Sequence, residues 1–473
     1  MTAKATFLAF DLGAESGRAV LGAFDGERLE LTEVHRFPNG PVHVLGSMHW
    51  DVLRLFQEMK NGLAKVAGQD LAGIGVDTWG VDSALLDETG ALVGMPYHYR
   101  DPRTHGMFEQ VFQRVPREEV FARTGIQFME INTLFQLYAL SLQRPRLLAA
   151  ADTLLMMPDL LNYWLSGQKV CEFTDATTSQ MYDPRAGDWA RPLLEKLGLP
   201  TRILAPVVQP GTVLGPLLPA ICDEVGLKGE VPVILPPCHD TGSAVVAVPA
   251  RSPDYVYISS GTWSLFGVEV TSPVITPATL EHNFTNEGGA AGTYRLLKNL
   301  VGMWVLQECR REWRRQGANL SYDDIMNMAA ESAPFVSLID PDDPSFLAVG
   351  GMPGRIQAYC RQSLALRYRA ALEQLEEITG RHLGAIHIVG GGGKDVLLDQ
   401  FTADATGRPV YAGPVEATAT GNIIVQAVAR GYLKSVQEGR DLLRRSCDLK
   451  AFEPRNTAPW DEAYGRFQAL RQR

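Results

Sequence analysis

Two short glycine-containing turns have the residues to bind an anion such as a phosphate. The first, Gly13–Arg18, follows the apolar strand Phe7–Asp11, and the second, Gly261–Thr262, follows the apolar run Val256–Ser260. Glycine can adopt positive φ and lets backbone N–H groups approach a ligand closely, and successive N–H groups form a concavity suited to an anion. Because each turn heads roughly half of the chain, they predict two related lobes that grip one phosphate chain.

The first turn also carries polar side chains that suit a nucleotide. Ser16 and Arg18 could contact phosphate oxygens, and Asp11 could reach the accompanying Mg²⁺, directly or through water. The alternative is an ordinary hairpin with glycine in its turn, since such turns commonly join antiparallel strands.

The segment His239-Asp240-Thr241 contains a candidate general base. Asp240 comes just after the apolar strand Val231–Leu235 and before three small residues. A carboxylate there could accept the proton of a substrate hydroxyl as its oxygen attacks a phosphorus. The alternative is that Asp240 only caps the following helix and that His239 is a hydrogen-bonded structural histidine.

Two further segments suggest ligand contacts. Gly390–Gly393 lies between the strand Ile386–Val389 and a helix, so an adenine or ribose could lie against bare backbone there; the alternative is a flexible turn. Trp79, just beyond the strand Leu71–Val76, could stack on a sugar ring or be a buried structural residue. The spacings of a Rossmann fingerprint and of a P-loop are both absent from the sequence.

The elements that position these residues alternate between strands and helices in both halves of the chain. This pattern predicts an α/β protein with two domains. We place the boundary at the turn region Pro249–Pro253, which gives an N-terminal domain of residues 1–248 and a C-terminal domain of residues 249–473. Apolar periodicity predicts helices over Asp51–Val66, Ala149–Leu165, Leu300–Arg315 and Arg355–Thr379.

The bulk composition excludes several classes of function. The 473 residues are 45% hydrophobic and 21% charged with a net charge of −10, which describes an ordinary globular protein with an acidic surface. Without a stripe of Lys and Arg, a nucleic-acid partner is not expected, and the acidic surface disfavours binding to an anionic membrane. Six scattered cysteines indicate reduced thiols. The N-terminus does not read as a signal peptide and no apolar span approaches about 20 residues, so we expect a cytoplasmic protein. The sequence does not indicate an oligomeric state.

Taken in order, these and further motifs resemble the FGGY carbohydrate kinases. The resemblance depends on the whole set, which covers essentially the full chain, and not on a single motif. The motifs are Asp11-Leu-Gly-Ala-Glu-Ser-Gly-Arg18, Gly75-Val-Asp-Thr-Trp-Gly-Val-Asp82, Gly125-Ile-Gln-Phe128 with Asn132-Thr-Leu-Phe-Gln-Leu137, His239-Asp-Thr-Gly-Ser-Ala244, Ser259-Ser-Gly-Thr-Trp-Ser264, Asn286-Glu-Gly-Gly289, Leu297-Lys-Asn299, Gly302 with Trp304 and Gln307, His387-Ile-Val-Gly-Gly-Gly392, and Gly413-Pro-Val-Glu-Ala417.

The resemblance implies two ribonuclease-H-like, actin-like ATPase domains with ATP and sugar in the cleft between them. It also implies transfer of the γ-phosphate of ATP to the 1-hydroxyl of L-rhamnulose, with Mg²⁺ as the accompanying ion. By the same resemblance Asp240 is the catalytic base. The residues expected to line the sugar site are Gly80, His239, Asp240, Thr241 and Asn299, and those expected to hold ATP are Ala14, Glu15, Ser16, Gly17, Arg18, Thr262, Gln307 and Gly391.

The chain departs from the family pattern at three places. Lys394 and Asp395 follow the glycine run where relatives often carry an Asn a few residues on. Glu15 stands where a small hydroxyl residue is common, and an extra carboxylate beside phosphates is unfavourable unless it faces solvent or helps to hold Mg²⁺. The broad family signature is not well formed around Phe346–Cys360.

Three alternative functions remain open at this point. The first is a kinase of the same fold that acts on L-fuculose, D-xylulose or a related ketose. The second is a non-catalytic sugar or nucleotide sensor on the same scaffold, because a fold does not determine a function. The third is an actin-like or chaperone-like ATPase with a protein partner, which the sugar-site motifs disfavour.

Overall fold

The computed structural model describes residues 4–261, 263–331, 361–447 and 449–471. Thr262, expected to contact ATP, and the signature region around Phe346–Cys360 lie outside the described residues. The described residues form two compact units. Unit 1 is formed by the described residues within Met1–Pro249, Glu269–Leu296 and Ala417–Ser446. Unit 2 is formed by those within Ala250–Val268, Leu297–Glu416 and Cys447–Arg473.

The strands of the described chain are numbered in sequence order. They are β1 (Ala5–Leu12), β2 (Ser16–Phe24), β3 (Leu29–Pro38), β4 (Pro41–Val44), β5 (Ser47–Trp50), β6 (Leu71–Thr78), β7 (Ser83–Leu86), β8 (Thr153–Met156), β9 (Cys171–Glu172), β10 (Tyr182–Asp183), β11 (Asp188–Trp189), β12 (Val207–Val208), β13 (Val213–Pro216), β14 (Pro232–Ile234), β15 (Tyr255–Ser260), β16 (Trp263–Val270), β17 (Thr285–Gly288), β18 (Tyr294–Val301), β19 (Ala385–Val389), β20 (Val410–Ala412) and β21 (Lys450–Phe452).

The helices are numbered in the same way. They are α1 (Val52–Lys65), α2 (Met107–Phe112), α3 (Arg117–Thr124), α4 (Thr133–Gln143), α5 (Pro145–Ala150), α6 (Met157–Ser166), α7 (Phe173–Ala176), α8 (Arg191–Lys196), α9 (Pro219–Val225), α10 (Asp240–Val246), α11 (Pro277–Glu281), α12 (Trp304–Arg315), α13 (Tyr322–Glu331), α14 (Arg361–Thr379), α15 (Val396–Thr406), α16 (Ala417–Ala429), α17 (Val436–Ser446) and α18 (Ala458–Arg471).

Unit 1 is built on a six-stranded mixed sheet. Its strand order is β13-β14-β6-β1-β2-β3. β1 and β2 form an antiparallel hairpin, while β1 pairs with β6 in parallel and β6 pairs with β14 in parallel. The carboxyl ends of β1, β6 and β14 therefore meet at one edge of the sheet, where the candidate residues after each strand are expected to lie.

Unit 2 repeats this arrangement of strands. β15 and β16 form an antiparallel hairpin, and β15 pairs in parallel with β19, which pairs in parallel with β20. The lobe-scale repetition predicted from the two turns is thus a shared strand pattern. Together with the mixed sheet of unit 1, it confirms the expected class of two α/β domains.

Helix α16 belongs to unit 1 although it follows most of unit 2 in the sequence. It packs on β6, where glycine residues leave room for its polar side chains. A Cβ atom at Gly75 would lie 2.5 Å from Oδ1 of Asn422, and one at Gly73 would lie 2.8 Å from Oε1 of Gln426. Gln426 also donates through Nε2 to the carbonyl of Leu8 on β1, at 3.1 Å.

The domain boundary expected at residues 248 and 249 lies beside the first break between the units, at Pro249–Ala250. Two later segments, 269–296 and 417–446, also belong to unit 1, which a single boundary does not describe. Unit 1 is therefore built from segments that are distant from one another in the sequence.

The helix predicted over Ala149–Leu165 was wrong in its middle part. In the structure, α5 ends at Ala150, the strand β8 occupies Thr153–Met156, and α6 begins at Met157. β8 pairs with β7, a partner almost 70 residues earlier, so a non-local contact overrides the local apolar pattern. The helical prediction over Leu300–Arg315 also began too early, because β18 continues to Val301 and α12 begins at Trp304.

None of the helices in the described ranges is long and apolar enough to span a membrane.

Candidate functional site

The first predicted carboxylate, Asp11, lies near the end of β1 and pairs with Arg18 across the hairpin. The two residues are register partners in β1 and β2, and Nη2 and Nε of Arg18 donate to Oδ2 of Asp11 at 2.7 and 3.0 Å. Oδ1 of Asp11 accepts no hydrogen bond from the described part of the chain. Arg18, expected to contact phosphate, is therefore engaged with Asp11, which keeps one oxygen available.

The turn between β1 and β2 is held by backbone hydrogen bonds. Gly13 N donates to the carbonyl of Ser16 at 2.9 Å, and Asn39 contacts the turn from β3's end through its backbone N to Glu15 O and its Nδ2 to Gly13 O, at 2.9 and 2.8 Å. The Glu15 side chain is exposed. An exposed carboxylate is better screened by water than a buried one, which reduces the electrostatic cost expected for Glu15 beside a phosphate.

Gly17 is needed for packing rather than for conformational freedom. A Cβ atom at this position would lie 2.4 Å from the ring of Phe37 on β3. Ala14 and Ser16 in the same turn are half-buried.

Asp240 is the first residue of α10, at the edge of the sheet where β14 ends. Backbone N of Thr78, at the end of β6, donates to Cys238 O at 2.8 Å, and this bond fixes the chain just before the helix. His239, not Asp240, is the N-cap residue. Capping therefore does not account for Asp240, whose Oδ1 accepts from the backbone N and hydroxyl of Thr241 instead.

The environment of Asp240 favours a basic carboxylate. Removal from water raises the pKa of Asp240, the neighbouring His239 lowers it, and the carboxylate of Asp11 raises it again. Nε2 of His239 lies 3.5 Å from Oδ1 of Asp240. Oδ2 of Asp240 accepts no hydrogen bond from the described residues, and the side chain is 30% exposed. This oxygen is free to take a proton from a bound hydroxyl.

Asp77, which the sequence did not single out for chemistry, lies beside these two carboxylates. It is the register partner of Asp11 on β6 and is fully buried. Oδ2 of Asp77 accepts from Nδ2 of Asn422 at 2.5 Å, whereas Oδ1 has no partner among the described residues. Burial raises the pKa of Asp77 well above its usual range, and the charges of Asp11 and Asp240 raise it further.

Gly80 lies in a strained turn that several hydroxyl and amide groups hold in place. The next residue, Val81, has φ of 67°, a region that a β-branched residue rarely adopts. Val81 N donates to Oγ1 of Thr178 at 3.0 Å, and Val81 O accepts from Thr133 and Gln136 at 2.6 and 3.2 Å. These bonds present the Gly80 backbone in one conformation.

Trp79 has the structural role that was one of its two predicted alternatives. It is 5% exposed and stacks on Trp50 with a centroid distance of 3.9 Å. The indole N–H groups of both rings donate to Oδ2 of the buried Asp82, at 3.0 and 2.5 Å. The ring is therefore part of the core under the turn and not a surface for a sugar.

The remaining predicted residues that the structure describes lie in unit 2. Asn299 is half-buried on β18. Gln307 lies in the first turns of α12, and its Oε1 is buried without a hydrogen-bond partner among the described residues. Gly391 is exposed, and a Cβ atom there would meet no atom within 4 Å.

The two residues that depart from the family pattern after the glycine run have local roles. Oδ1 of Asp395 accepts from Leu398 N at 3.1 Å, so Asp395 caps helix α15. Lys394 is exposed in a short 3₁₀ turn over Gly391–Lys394.

Glu287 and Arg295 form a buried cluster with His239 that sequence reasoning missed. Nη2 of Arg295 lies 3.0 Å from Nδ1 of His239 and 3.1 Å from Oε2 of Glu287. One available signal was the charged Arg295 inside the otherwise apolar start of β18. Asn422 gave no comparable signal, because a polar residue in an apolar helix has many possible partners.

Comparison with known proteins defines the family. The N-terminal domain model of the FGGY family of carbohydrate kinases matches residues 6–247, and its C-terminal domain model matches residues 256–430. The chain therefore belongs to the FGGY family of carbohydrate kinases, and it has the two-domain fold of these enzymes.

Individual relatives agree with this assignment. A protein named rhamnulokinase from Bacteroides thetaiotaomicron is 45% identical over 98% of this chain and 99% of its own, and one from Oceanobacillus iheyensis is 41% identical over 94% and 97%. Among solved structures, gluconate kinase from Lactobacillus acidophilus superposes with a TM-score of 0.81, covering 99% of this chain and 98% of its own, at 15% identity. At 15% identity, the similarity to gluconate kinase shows a shared fold and nothing about the substrate.

Proposed function

We infer that the chain is an ATP-dependent kinase that phosphorylates L-rhamnulose at O1, giving L-rhamnulose 1-phosphate and ADP. The observation that carries this conclusion is the 41–45% identity to rhamnulokinases over nearly the full length of both partners. Membership of a sugar kinase family makes a sugar and ATP the substrates.

We propose Asp240 as the base that accepts the proton of the sugar hydroxyl. In this step the hydroxyl oxygen bonds to the γ-phosphorus, the bond from phosphorus to the β-bridging oxygen breaks, and the hydroxyl proton moves to Oδ2 of Asp240. The raised pKa of Asp240 supports the proposal because a more basic carboxylate accepts a proton more readily. Gly80, His239, Thr241 and Asn299 are proposed as sugar contacts that orient this hydroxyl.

ATP contacts are proposed in both units. In unit 1 they are the residues from Ala14 to Arg18, in the turn that follows Asp11. In unit 2 they are Gln307, with its unpartnered carbonyl oxygen, and Gly391, with open space in place of a side chain. Thr262 is proposed from the sequence alone.

The residues around Asp11 fit a magnesium ion. The hydrogen bonds that the Asp11 side chain accepts from Arg18 both go to Oδ2, and Oδ1 of Asp77 is buried without a partner among the described residues. Carboxylate oxygens are the ligands that Mg²⁺ prefers. Within the described ranges, no group of three or more His, Cys, Asp or Glu side chains could hold a metal. Mg²⁺ usually takes one or two protein carboxylates together with water and phosphate, so Asp11 is the proposed ligand. Bound there, it would neutralise charge on the phosphates.

The test is a panel of acceptors with Mg-ATP. ADP formation is measured with L-rhamnulose, L-fuculose, D-xylulose and glycerol, and the phosphorylated position is determined by NMR. We expect the highest kcat/KM with L-rhamnulose and phosphate on O1. A higher value for another ketose would replace the substrate, absence of turnover with every acceptor would favour a sensor, and ADP formation without any acceptor would favour an ATPase.

A further inference from the structure

The buried cluster of His239, Glu287 and Arg295 lies within unit 1. His239 is 7% exposed, Glu287 4% and Arg295 0%. Nδ1 of His239 lies 3.0 Å from Nη2 of Arg295 and 3.2 Å from Oε2 of Glu287. Nε of Arg295 donates to the carbonyl of Gly288 at 2.7 Å, which fixes the plane of the guanidinium.

This geometry selects one form of the His239 ring. A guanidinium has only donors, so Nη2 of Arg295 must donate to Nδ1 of His239 if the two are to be bonded. Oε2 of Glu287 also lies 3.2 Å from Nδ1, but the contact of Nδ1 with Nη2 of Arg295 is shorter, at 3.0 Å, and a proton on Nδ1 would point at the N–H groups of Arg295. The ring proton is therefore held on Nε2, the nitrogen that lies 3.5 Å from Oδ1 of Asp240.

The cluster is not explained by stability alone. Nη1 of Arg295 is buried and has no hydrogen-bond partner among the described residues. A buried charge whose donors are only partly satisfied is commonly less stable than apolar side chains of similar volume. Such an arrangement is typical of groups that are kept for a site and not for the core.

We propose that Arg295 is a positioning residue of the phosphorylation site. With Glu287 as its counter-ion, it keeps Nδ1 of His239 as an acceptor and so presents Nε2–H to a sugar hydroxyl next to Asp240. The inference rests on the proposed function, since it deepens the role of His239 in that site. The Nε2–H group of His239 would favour sugars that have a hydroxyl or carbonyl oxygen next to the reacting hydroxyl, because that oxygen can accept the hydrogen bond.

The experiment compares three forms of the full-length protein: the wild type, Arg295→Met, and the double variant Arg295→Met with Glu287→Gln. The single variant leaves Glu287 buried without its counter-ion and is expected to lower Tm. The double variant removes both charges and is expected to recover most of that loss. Recovery of Tm without recovery of sugar binding separates positioning from folding.

Two readouts are measured on the folded forms. The KM for L-rhamnulose is expected to rise about tenfold or more in the double variant, the effect of losing one oriented hydrogen bond, while the KM for ATP changes little. In protein labelled with ¹⁵N-histidine, the His239 signals, assigned by loss in His239→Asn, are expected to show a protonated Nε2 in the wild type and a mixture of forms in the double variant.

A matched control removes another Arg–Glu pair outside every proposed site. Arg369 and Glu373 on α14 lie 3.2 Å apart, and Arg369→Met with Glu373→Gln is expected to leave the KM for L-rhamnulose unchanged. A double variant at 295 and 287 with wild-type KM and unchanged ring signals would overturn the proposal. Failure of the proposed function is distinct, because it would appear as absent turnover in the wild type while the ¹⁵N signals still report the ring form.

Discussion

At the scale of single residues, the site depends on a few carboxylates that differ in hydrogen bonding. Oδ2 of Asp11 is engaged by Arg18, Asp77 is buried and accepts from Asn422, and Asp240 keeps one oxygen free and partly exposed. These differences support the proposed role of Asp240 as the proton acceptor among the three. The assignment leads to a direct prediction.

Asp240→Asn is expected to lower kcat with L-rhamnulose by about 10²–10⁴-fold, the usual contribution of a general base. The amide has nearly the same shape but accepts a proton far less readily, so the KM for the sugar should change only a few-fold. Steady-state kinetics measure both constants. The exposed Asp70 offers a control, since Asp70→Asn should keep wild-type rates. Near-normal turnover by Asp240→Asn would contradict the assignment.

Several residues of the candidate site could be proposed from local sequence because each follows a strand or lies in a glycine-containing turn. Asp11, Gly80 and Asp240 belong to this group. The partners that orient them could not, since they come from distant segments: Arg295 is 56 residues from His239, and Asn422 is 345 residues from Asp77. Which polar residue meets which depends on the packed fold, and a single sequence contains no record of that pairing.

At the scale of elements, α16 and α10 are in unusually close contact. A Cβ atom at Gly421 of α16 would lie 1.8 Å from the carbonyl oxygen of Ser243 and 3.2 Å from Cβ of Val246, both on α10. Because α10 begins at Asp240, the separation of these two helices determines where the carboxylate of this proposed base lies. Glycine is required at position 421 because any side chain there would clash with the backbone of α10.

Gly421→Ala is therefore expected to lower both stability and kcat. The backbone of α10 must move to accommodate the methyl group, at a cost of about 1–3 kcal/mol, and Asp240 moves with it. Thermal melts and steady-state kinetics measure the two effects. Gly465→Ala is the matched control, because Gly465 lies exposed inside α18 with no atom near its Cβ position, and alanine there should add about 0.5–1 kcal/mol. A rise in Tm for both variants would refute this account of α16.

The same scale shows why one helix was mispredicted. Most residues within Ala149–Leu165 are apolar, including the run Leu154–Met157 across the junction, so periodicity could not separate β8 from α6. Pro158 in the first turn of α6 was the available local signal for a helix start. The strand itself depends on β7, which lies far away in the sequence.

At the scale of the whole molecule, unit 1 is assembled from three stretches of the chain. The third stretch supplies α16, whose Gln426 donates to the carbonyl of Leu8 on β1. Ile423 of the same helix packs so closely on Gly22 of β2 that a Cβ atom at Gly22 would lie 2.5 Å from Cδ1 of Ile423. Without α16, the sheet of unit 1 would lose cover over β1, β2 and β6. Asp77 would also lose the side-chain hydrogen bond that Asn422 donates.

A fragment of residues 1–248 is therefore expected not to fold cooperatively on its own. It lacks α16 as well as Glu287 and Arg295, so buried polar groups and apolar strand surface would meet water. Circular dichroism during urea unfolding, with the full-length chain as reference, measures this. A sharp transition in the fragment would show that residues 1–248 are an independent domain.

The stability of the folded chain is also expected to fall as pH rises, because several buried carboxyl groups are more easily protonated when folded. Burial raises the pKa of Asp82 to about 6 and that of Glu172 to about 7. Burial and the nearby Asp395 raise the pKa of Asp399 to about 8, with Lys450 opposing. Both carboxyl oxygens of Asp399 are buried without hydrogen-bond partners in the described chain.

Asp399→Asn tests this most directly, because the unfolded chain loses the Asp399 proton near pH 4 and the folded chain keeps it to about pH 8. Between these values the folded state binds more protons, so the wild-type free energy of unfolding decreases with rising pH, by at most about 1.4 kcal/mol per pH unit from this group. The variant cannot ionise and lacks that contribution. Its Tm relative to the wild type should therefore rise from pH 5 to pH 8, while Asp70→Asn should follow the wild type throughout. Parallel melting curves for wild type and Asp399→Asn across this range would mean that Asp399 is already ionised in the folded protein.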